Sequence, residues 1–253
     1  MSMPTESDGV LIRYEGIAKA FGPKRIYDSL NLDIRRGETI TIIGGSGTGK
    51  SVLLKCLIGL MYPDAGHIWF EGRDMTTLDE HEMRDIRRKV AMVFQGAALF
   101  DSLSVGENIA YPLREQQPDL SPQDVAERVA KNLEMVNLPG IEALRPSDLS
   151  GGMRKRVGLA RAIAVEPEVI LFDEPTTGLD PISVRIIDEL ILSLKKKLGS
   201  TQIVVTHDME SAFRVSDRIA MLSRRSIVEQ GTVTQMKASR HPDVRAFFDA
   251  RVA

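Results

Sequence analysis

A glycine-rich octapeptide, GGSGTGKS at residues 44–51, constrains the fold of this chain more than any other stretch. It follows TITII at residues 39–43, a β-branched apolar run, and precedes SVLLKCLIGL at residues 51–60, which is compatible with a helix. A strand, a glycine loop and a helix in this order form the context in which a chain wraps around phosphate groups. The loop consists of Gly44, Gly45, Ser46, Gly47, Thr48, Gly49, Lys50 and Ser51.

This loop predicts a binding site for a nucleoside triphosphate, ATP or GTP. Glycines allow backbone N–H groups to point inward and, with the start of the following helix, to form a concave anion site for the β-phosphate. Lys50 is placed to reach the β- and γ-phosphates, and the Ser51 hydroxyl to coordinate Mg²⁺. A glycine-rich turn that merely contains a lysine is the alternative, and the complete spacing and the flanking elements disfavour it.

Two successive carboxylates stand at the end of a second apolar run, VILF at residues 169–172. Alternation along a strand sends Asp173 and Glu174 in different directions, so the two acids are expected to do different jobs. Asp173 suits the Mg²⁺ shell, and Glu174 suits the general base that polarises the attacking water. A solvated pair of loop acids is the alternative; the four large apolar residues before the pair and Pro175 after it disfavour that interpretation.

The pentapeptide LSGGM at residues 149–153, followed by a helix-like stretch, stands between these two elements. In this order the chain resembles the ATP-binding cassette (ABC) family, whose signature pentapeptide is Leu-Ser-Gly-Gly-Gln. The resemblance implies that Ser150, Gly151 and Gly152 meet the γ-phosphate of an ATP molecule held by a partner protomer, so that two copies form a homodimer. It also implies an α/β fold: a P-loop NTPase ABC cassette with a RecA-like core, a small antiparallel β subdomain and an inserted helical subdomain at about residues 96–165.

Four further residues match markers of the ABC family in order. Phe21 resembles the aromatic residue that stacks on adenine, and Gln95, at the end of the apolar run VAMVF, resembles the glutamine that senses water and metal. Asp180 resembles the aspartate of the dimer interface, and His207 the switch histidine that contacts the γ-phosphate. Taken alone, a phenylalanine is usually a core residue, a glutamine a surface residue and a histidine a structural residue. Their occurrence in the order of the ABC family disfavours coincidence for Gln95 and His207. The resemblance implies Glu174, His207, Gln95 and Lys50 as catalytic residues and Ser51, Gln95 and Asp173 as Mg²⁺ ligands.

Composition narrows the functional class. The 253 residues, 43% of them hydrophobic, can bury a substantial core in one cassette. We predict this cassette at residues 10–253 and a flexible N-terminal tail at residues 1–9. A net charge of −2 gives no basic footprint, so no nucleic-acid partner is expected. The single cysteine, Cys56, forms no disulfide framework, which suits a reducing cytosol. No apolar run approaches the roughly 20 residues that span a bilayer.

The same features favour a transporter ATPase over other ABC functions. Chromosome-maintenance ATPases split the cassette with long coiled coils, and soluble translation factors carry two cassettes, whereas this chain has neither feature. An ATP-driven factor acting on DNA or ribosomes is the second interpretation. A P-loop kinase or GTPase switch is the third interpretation, and the signature pentapeptide, Glu174 and His207 argue against it.

One helix that the sequence predicts begins at Asp180-Pro181 and turns Ile182 and later aliphatic residues inward.

Residues 96–114, GAALFDSLSVGENIAYPLR, resemble the cassette of bacterial phospholipid-trafficking importers, the Mla type associated with MCE-domain proteins. Met153 takes the place of the glutamine that ends the ABC signature. Methionine at this position also fits the Mla group, although it cannot make the polar contacts of a glutamine. The resemblance implies a permease dimer, an MCE-domain lipid-binding protein and a small regulatory subunit as partners, at the cytoplasmic face of the inner membrane. An importer of another small solute is the alternative. Because the sequence ends at Ala253, we expect no C-terminal extension of the kind with which some Mla ATPases grip the opposite protomer and the regulatory subunit, and therefore a different regulation.

Overall fold

The structure of the chain, a computed structural model, describes residues 9–252. The tail predicted at residues 1–9 therefore lies outside the described residues except for Gly9. The strands are β1 (Val10–Phe21), β2 (Lys24–Arg35), β3 (Thr39–Ile43), β4 (Ala65–Phe70), β5 (Arg73–Asp74), β6 (Val90–Val93), β7 (Val169–Asp173), β8 (Thr201–Val205), β9 (Arg218–Ser223) and β10 (Ser226–Thr232). The α-helices are α1 (Lys50–Leu57), α2 (Glu80–Lys89), α3 (Val105–Gln116), α4 (Pro122–Met135), α5 (Gly151–Ile163), α6 (Pro181–Leu198), α7 (Met209–Val215), α8 (Val233–Lys237) and α9 (Pro242–Val252).

A mixed six-stranded sheet carries the phosphate loop. Its strand order is β10-β9-β3-β8-β7-β6, in which β6, β7, β8, β3 and β9 run parallel and β10 pairs antiparallel at the edge. Every residue of β3, β7 and β8 is buried, which explains why these strands are continuous apolar runs rather than alternating ones. Because parallel strands end at the same edge, the loops after β3, β7 and β8 meet there.

A smaller antiparallel sheet has the strand order β2-β1-β4-β5. Strands β1 and β2 form a hairpin whose turn is Gly22-Pro23, with Gly22 at φ +57°, a left-handed conformation that glycine adopts readily. The last pair of the hairpin is Phe21 opposite Lys24. The hairpin thereby brings these two side chains together at one end of the sheet.

Helices α3, α4 and α5 pack around a second apolar core, which includes Ile109, Val129 and Leu159. The N-termini of α3 and α4 carry capping boxes built on Ser104 and Ser121, which satisfy N–H groups that a helix leaves without internal partners. All three helices lie within residues 96–165, where the sequence predicts an inserted helical subdomain; its exact limits stay a prediction.

One detail of α6 differs from the sequence prediction. Ile182 is 74% exposed and does not face inward. It belongs to the first turn of α6, where Asp180 and Pro181 are exposed as well, so the apolar stripe becomes fully buried only from Ile187 onward. None of the helices within residues 9–252 combines the length and the apolar character that a bilayer crossing requires.

Candidate active site

An open cleft of about 710 Å³ lies between the phosphate loop and the β1–β2 hairpin. Besides the loop, its lining includes Phe21, Lys24, Gln95, Glu174 and His207. Side chains from five separate parts of the chain therefore share one cavity. The cavity is of the size that small-molecule and cofactor sites usually have.

Close approach of the backbone requires two of the loop glycines. A Cβ on Gly44 would lie 2.4 Å from the carbonyl oxygen of Leu222 on β9. Gly49 has φ +107°, and a Cβ there would lie 2.3 Å from Cγ2 of Ile26. The hydroxyl of buried Tyr27 also donates a hydrogen bond to the Gly49 carbonyl at 2.5 Å. Strand β2 therefore holds the loop in place through direct contact with its backbone.

Lys50 and Ser51 contact the two successive carboxylates at the end of β7. The buried ammonium of Lys50 donates to the carbonyls of Gly44 at 2.9 Å and Gly45 at 3.1 Å, and it lies 3.9 Å from Oε1 of Glu174. The Ser51 hydroxyl donates to Oδ1 of Asp173 at 2.6 Å. One hydroxyl and one carboxylate fit Mg²⁺, which favours oxygen ligands and usually completes its shell with water and substrate phosphate oxygens.

Asp173 and Glu174 diverge for a reason other than the one the sequence suggests. Strand β7 ends at Asp173, and Glu174 has φ +51°, a left-handed conformation that is uncommon for a non-glycine residue. Its N–H donates to the carbonyl of Val205 at 2.8 Å, which fixes this conformation against β8. A backbone reversal, and not the alternation of a continuing strand, therefore turns Glu174 toward Lys50.

The carboxylate of Glu174 has two further partners. Its Oε2 accepts a hydrogen bond from the Thr177 hydroxyl at 2.9 Å and lies 2.8 Å from Nδ1 of His207. Because an ionised carboxylate only accepts hydrogen bonds, this contact assigns a proton to Nδ1. Gln95, on the loop after β6, is exposed at the same cleft. The cleft thus contains the four residues that are predicted to be catalytic: Lys50, Gln95, Glu174 and His207.

The signature residues do not reach the cleft of their own chain. Ser150 caps α5 by accepting a hydrogen bond from the Met153 N–H at 3.2 Å, and both Ser150 and Gly151 are exposed. A Cβ on Gly152 would lie 3.1 Å from Oγ of Ser183, so α5 packs closely against the start of α6. Among residues 9–252, Ser150, Gly151 and Gly152 are absent from the lining of the cleft.

Asp180 stands at the N-terminus of α6, beside the signature residues. Its Oδ1 accepts hydrogen bonds from the N–H groups of Ile182 and Ser183, each at 3.0 Å. The Ser183 hydroxyl donates to Oδ2 at 2.6 Å, and this bond, with those from the backbone, holds the pKa of the Asp180 carboxyl below its ordinary value. Asp180 is therefore an exposed anion with a fixed orientation.

Phe21, at the end of β1, lines the cleft with 45% of its surface exposed. The ammonium of Lys19 lies 5.5 Å from the centroid of the ring. Asp64 accepts hydrogen bonds from Lys19 at 2.8 Å and from the Ala20 N–H at 2.7 Å, and so fixes the end of β1. A large, exposed aromatic ring in a fixed strand is suited to stacking against a planar ligand.

Several side chains that organise this region are not marked by any sequence motif: Lys24, Tyr27, Lys155, Arg161 and Thr177. Lys155 donates to the carbonyls of Pro175 at 2.9 Å and Thr177 at 2.6 Å, and its partial burial lowers the pKa of its ammonium. The hairpin turn at Gly22-Pro23 is a sequence signal that could have placed Lys24 opposite Phe21. The other four act through contacts between distant segments, which no local pattern marks.

Comparison with known proteins now adds to this geometry. The sequence profile of the ABC transporter family matches residues 27–177. The chain belongs to the ABC transporter family. It is 40% identical over 243 residues to the probable ribonucleotide transport ATP-binding protein mkl of Mycobacterium leprae, covering 96% of this chain and 70% of that protein. It is also 40% identical over 230 residues to the intermembrane phospholipid transport system ATP-binding protein MlaF of Haemophilus influenzae, covering 91% of this chain and 87% of MlaF.

The structural comparison agrees. The dimeric structure of a post-hydrolysis state of the ATP-binding cassette MJ0796 bound to ADP and Pi superimposes with a TM-score of 0.81 and 31% sequence identity, covering 88% of this chain and 99% of that one. The predicted ABC cassette fold is thereby confirmed. The protein is the ATP-hydrolysing subunit of an ABC transporter, and the prediction of an ATPase is confirmed as well. ABC cassettes bind ATP, dimerise and work with permease subunits.

Proposed function

We propose that the cluster of Lys50, Glu174 and His207 carries out ATP hydrolysis in this ABC ATPase. Oε1 of Glu174 would accept a proton from the attacking water, while His207 and Thr177 hold Oε2 of the same carboxylate through their contacts at 2.8 and 2.9 Å. Lys50 would exchange its hydrogen bonds to loop carbonyls for contacts to the β- and γ-phosphates. The observation that carries this proposal is the convergence of these three side chains at the phosphate loop.

Mg²⁺ would be held by the Ser51 hydroxyl and Asp173, with the side-chain oxygen of exposed Gln95 within the same cleft. The ion would neutralise charge that develops on the phosphate oxygens. The contact of 2.6 Å between Ser51 and Asp173 supports this assignment, because it brings two hard oxygen ligands together at the foot of the loop.

The functional unit in this proposal is a head-to-tail homodimer with two ATP molecules at its interface. Each nucleotide would lie between the phosphate loop of one copy and Ser150, Gly151 and Gly152 of the other. The exposure of Ser150 and Gly151, and the absence of all three residues from the lining of the cleft of their own chain, support this arrangement. The γ-phosphate would contact both copies, so its loss on hydrolysis would remove the contact that favours the closed dimer.

In the membrane, the dimer would power a permease dimer that moves phospholipid or a related lipid, from the cytoplasmic face of the inner membrane. The similarity to MlaF, over most of both chains, and the resemblance of residues 96–114 to Mla cassettes support this substrate class. An MCE-domain lipid-binding protein and a small regulatory subunit would complete the assembly.

Transport of a ribonucleotide is the second candidate, since the mkl relatives are equally similar at 40% identity. The native complex distinguishes the two. It would be purified with its membrane subunits, reconstituted in vesicles, and assayed for ATP-dependent movement of labelled phospholipid and of labelled ribonucleotide. ATP-dependent phospholipid movement and a copurifying MCE-type subunit are expected. A complex that contains a receptor for hydrophilic solutes and moves only ribonucleotide would refute the lipid assignment and leave the ATPase untouched.

A further inference from the structure

We propose that Lys24 is a second phosphate-binding cation of this ATPase, which contacts the α- or β-phosphate of the nucleotide from the hairpin side of the cleft. The inference rests on the proposed position of the nucleotide, with its base at Phe21 and its phosphates in the loop. Sequence motifs did not mark Lys24, because it belongs to the hairpin and not to the phosphate loop.

The hairpin sets the position of Lys24. Lys24 is the direct cross-strand partner of Phe21, and directly opposed residues of an antiparallel pair project to the same face. Both side chains line the cleft. A Cβ placed on Gly47 would lie 4.0 Å from Nζ of Lys24, so the ammonium sits over the middle of the phosphate loop.

Lys24 differs from the neighbouring cations in its charge environment. The adjacent cation, Arg25, lies 3.7 Å from Oδ1 of Asp28, and Arg225 lies 3.3 Å from Oδ2 of the same residue. Lys50 lies 3.9 Å from Glu174. Within residues 9–252, no ion pair includes Lys24. Its positive charge is therefore not offset by a carboxylate at the place where an anion would bind.

The order of groups in a nucleotide identifies the phosphate. With the base on Phe21 and the β-phosphate at the loop amides, the groups that pass beneath Lys24 are the α-phosphate and the near side of the β-phosphate. Those groups are present in ATP and in ADP. Lys24 should therefore strengthen the binding of both nucleotides by the same factor, whereas a contact to the γ-phosphate would strengthen ATP alone.

The exposure of Lys24 limits how much nucleotide affinity its removal should cost. A hydrogen bond to a charged group is stronger than a neutral one, but Lys24 is exposed and water screens its charge. We expect Lys24→Gln to weaken the binding of both nucleotides about 5- to 10-fold. The difference from wild type should shrink as salt rises toward 1 M, where the screening length is about 3 Å.

Isothermal titration of the full chain tests the inference, with ADP and with ATP in the presence of a chelator that prevents hydrolysis. Lys24→Arg keeps the charge and should restore most of the affinity. Arg25→Gln removes the neighbouring exposed cation and should leave both affinities unchanged. Thermal unfolding without nucleotide should be the same for all three variants and wild type, which excludes a general loss of structure.

Lys50→Ala separates this inference from the proposed function. If Lys24→Gln binds ADP and ATP as tightly as wild type while Lys50→Ala has lost binding, Lys24 has no such role and the nucleotide site stands. A loss confined to ATP also overturns the inference, because it assigns Lys24 to the γ-phosphate. Wild-type affinity in both Lys24→Gln and Lys50→Ala would overturn the proposed site itself.

Discussion

Nδ1 of His207 lies 2.8 Å from Oε2 of Glu174, although 33 residues separate them in the sequence. The hydrogen bond joins the end of β8 to the end of β7, and the Thr177 hydroxyl binds the same carboxylate oxygen at 2.9 Å. A carboxylate with two fixed partners has a defined orientation toward the cleft. The active site therefore depends on the register of two adjacent strands.

Glu174→Gln should lower the rate of ATP hydrolysis by about 10²-fold or more, because the amide cannot accept a proton as the general base does. Nucleotide affinity should be retained, and a closed ATP-bound dimer should accumulate, as size-exclusion chromatography with ATP would show. Glu210→Gln, which removes an exposed carboxylate three residues after His207, is the control. Near-normal turnover in Glu174→Gln would remove Glu174 from its assigned role.

Mixing two inactive variants tests the proposed dimer. Lys50→Ala damages the phosphate loop, and Ser150→Arg damages the signature that would serve the opposite copy. In a mixed dimer both lesions fall in one site and the other site is intact, so hydrolysis should partly recover relative to either homodimer. Absence of recovery, after mass spectrometry has confirmed mixed dimers, would argue against composite sites unless the two sites are strictly coupled.

Phe21→Ala should weaken ATP binding by about 1–3 kcal/mol if the exposed ring stacks on adenine, on the scale of base–aromatic stacking. Phe21→Tyr keeps an aromatic face and should bind normally. Tyr62→Ala removes an aromatic ring that is 49% exposed and outside the cleft lining, and so serves as the matched control. Titration calorimetry measures all three variants. A fall in thermal stability with unchanged ATP affinity would instead give Phe21 a purely structural role.

Leu103→Glu should leave the protein folded and able to bind nucleotide but separate it from the permease. Leu103 is half-buried, and its N–H donates to the carbonyl of Phe100 at 3.2 Å; the exposed rings of Phe100 and Tyr111 have centroids 5.0 Å apart. In this prediction Leu99, Phe100, Leu103 and Tyr111 would form an apolar surface close to Gln95 in the chain, suited to a short helix of a partner. Copurification with the membrane subunits measures the effect, and Leu60→Glu, at a distant exposed leucine, is the control. Normal assembly of the Leu103→Glu complex would exclude this surface as the docking site.

Arg161→Met should reduce the coupling between ATP hydrolysis and transport while leaving ATP affinity nearly intact. Arg161 on α5 donates to the carbonyls of Ala98 at 2.8 Å and Ala97 at 3.0 Å, two residues with positive φ just after Gln95. Without it, these carbonyls lose their donor, and we expect a stability loss of about 1–3 kcal/mol.

Arg156→Met is the control for this change, because Arg156 lies on the same helix and donates to the carbonyls of Val136 and Asn137. Denaturant unfolding and the ratio of lipid moved to ATP consumed measure the two variants. An equal loss of coupling in both would assign the effect to general loosening of α5 and not to the Gln95 loop.

Local patterns in the sequence were sufficient to predict the strand and the helix on either side of the glycine loop, the strand that ends at Asp173 and the start of α6. At Asp180-Pro181 the sequence predicts the start of a helix, and in the structure α6 begins at Pro181 with Asp180 as its N-cap, because capping involves residues two or three apart. The three buried strands were also predictable, since strands covered on both faces are apolar throughout. The order of the motifs along the chain was enough to indicate the family.

Tertiary structure decided the relations between those motifs. The 2.6 Å contact between Ser51 and Asp173 spans 122 residues, and it exists because the sheet places β8 between β3 and β7 with all three ends at one edge. Glu174 turns toward Lys50 through a left-handed backbone fixed by β8, where alternation suggested a simple strand end. Lys24 lies over Gly47 because the hairpin folds back at Gly22. Local propensity depends on neighbours within a few residues, whereas each of these contacts depends on sheet order and register, which only packing of the whole chain determines.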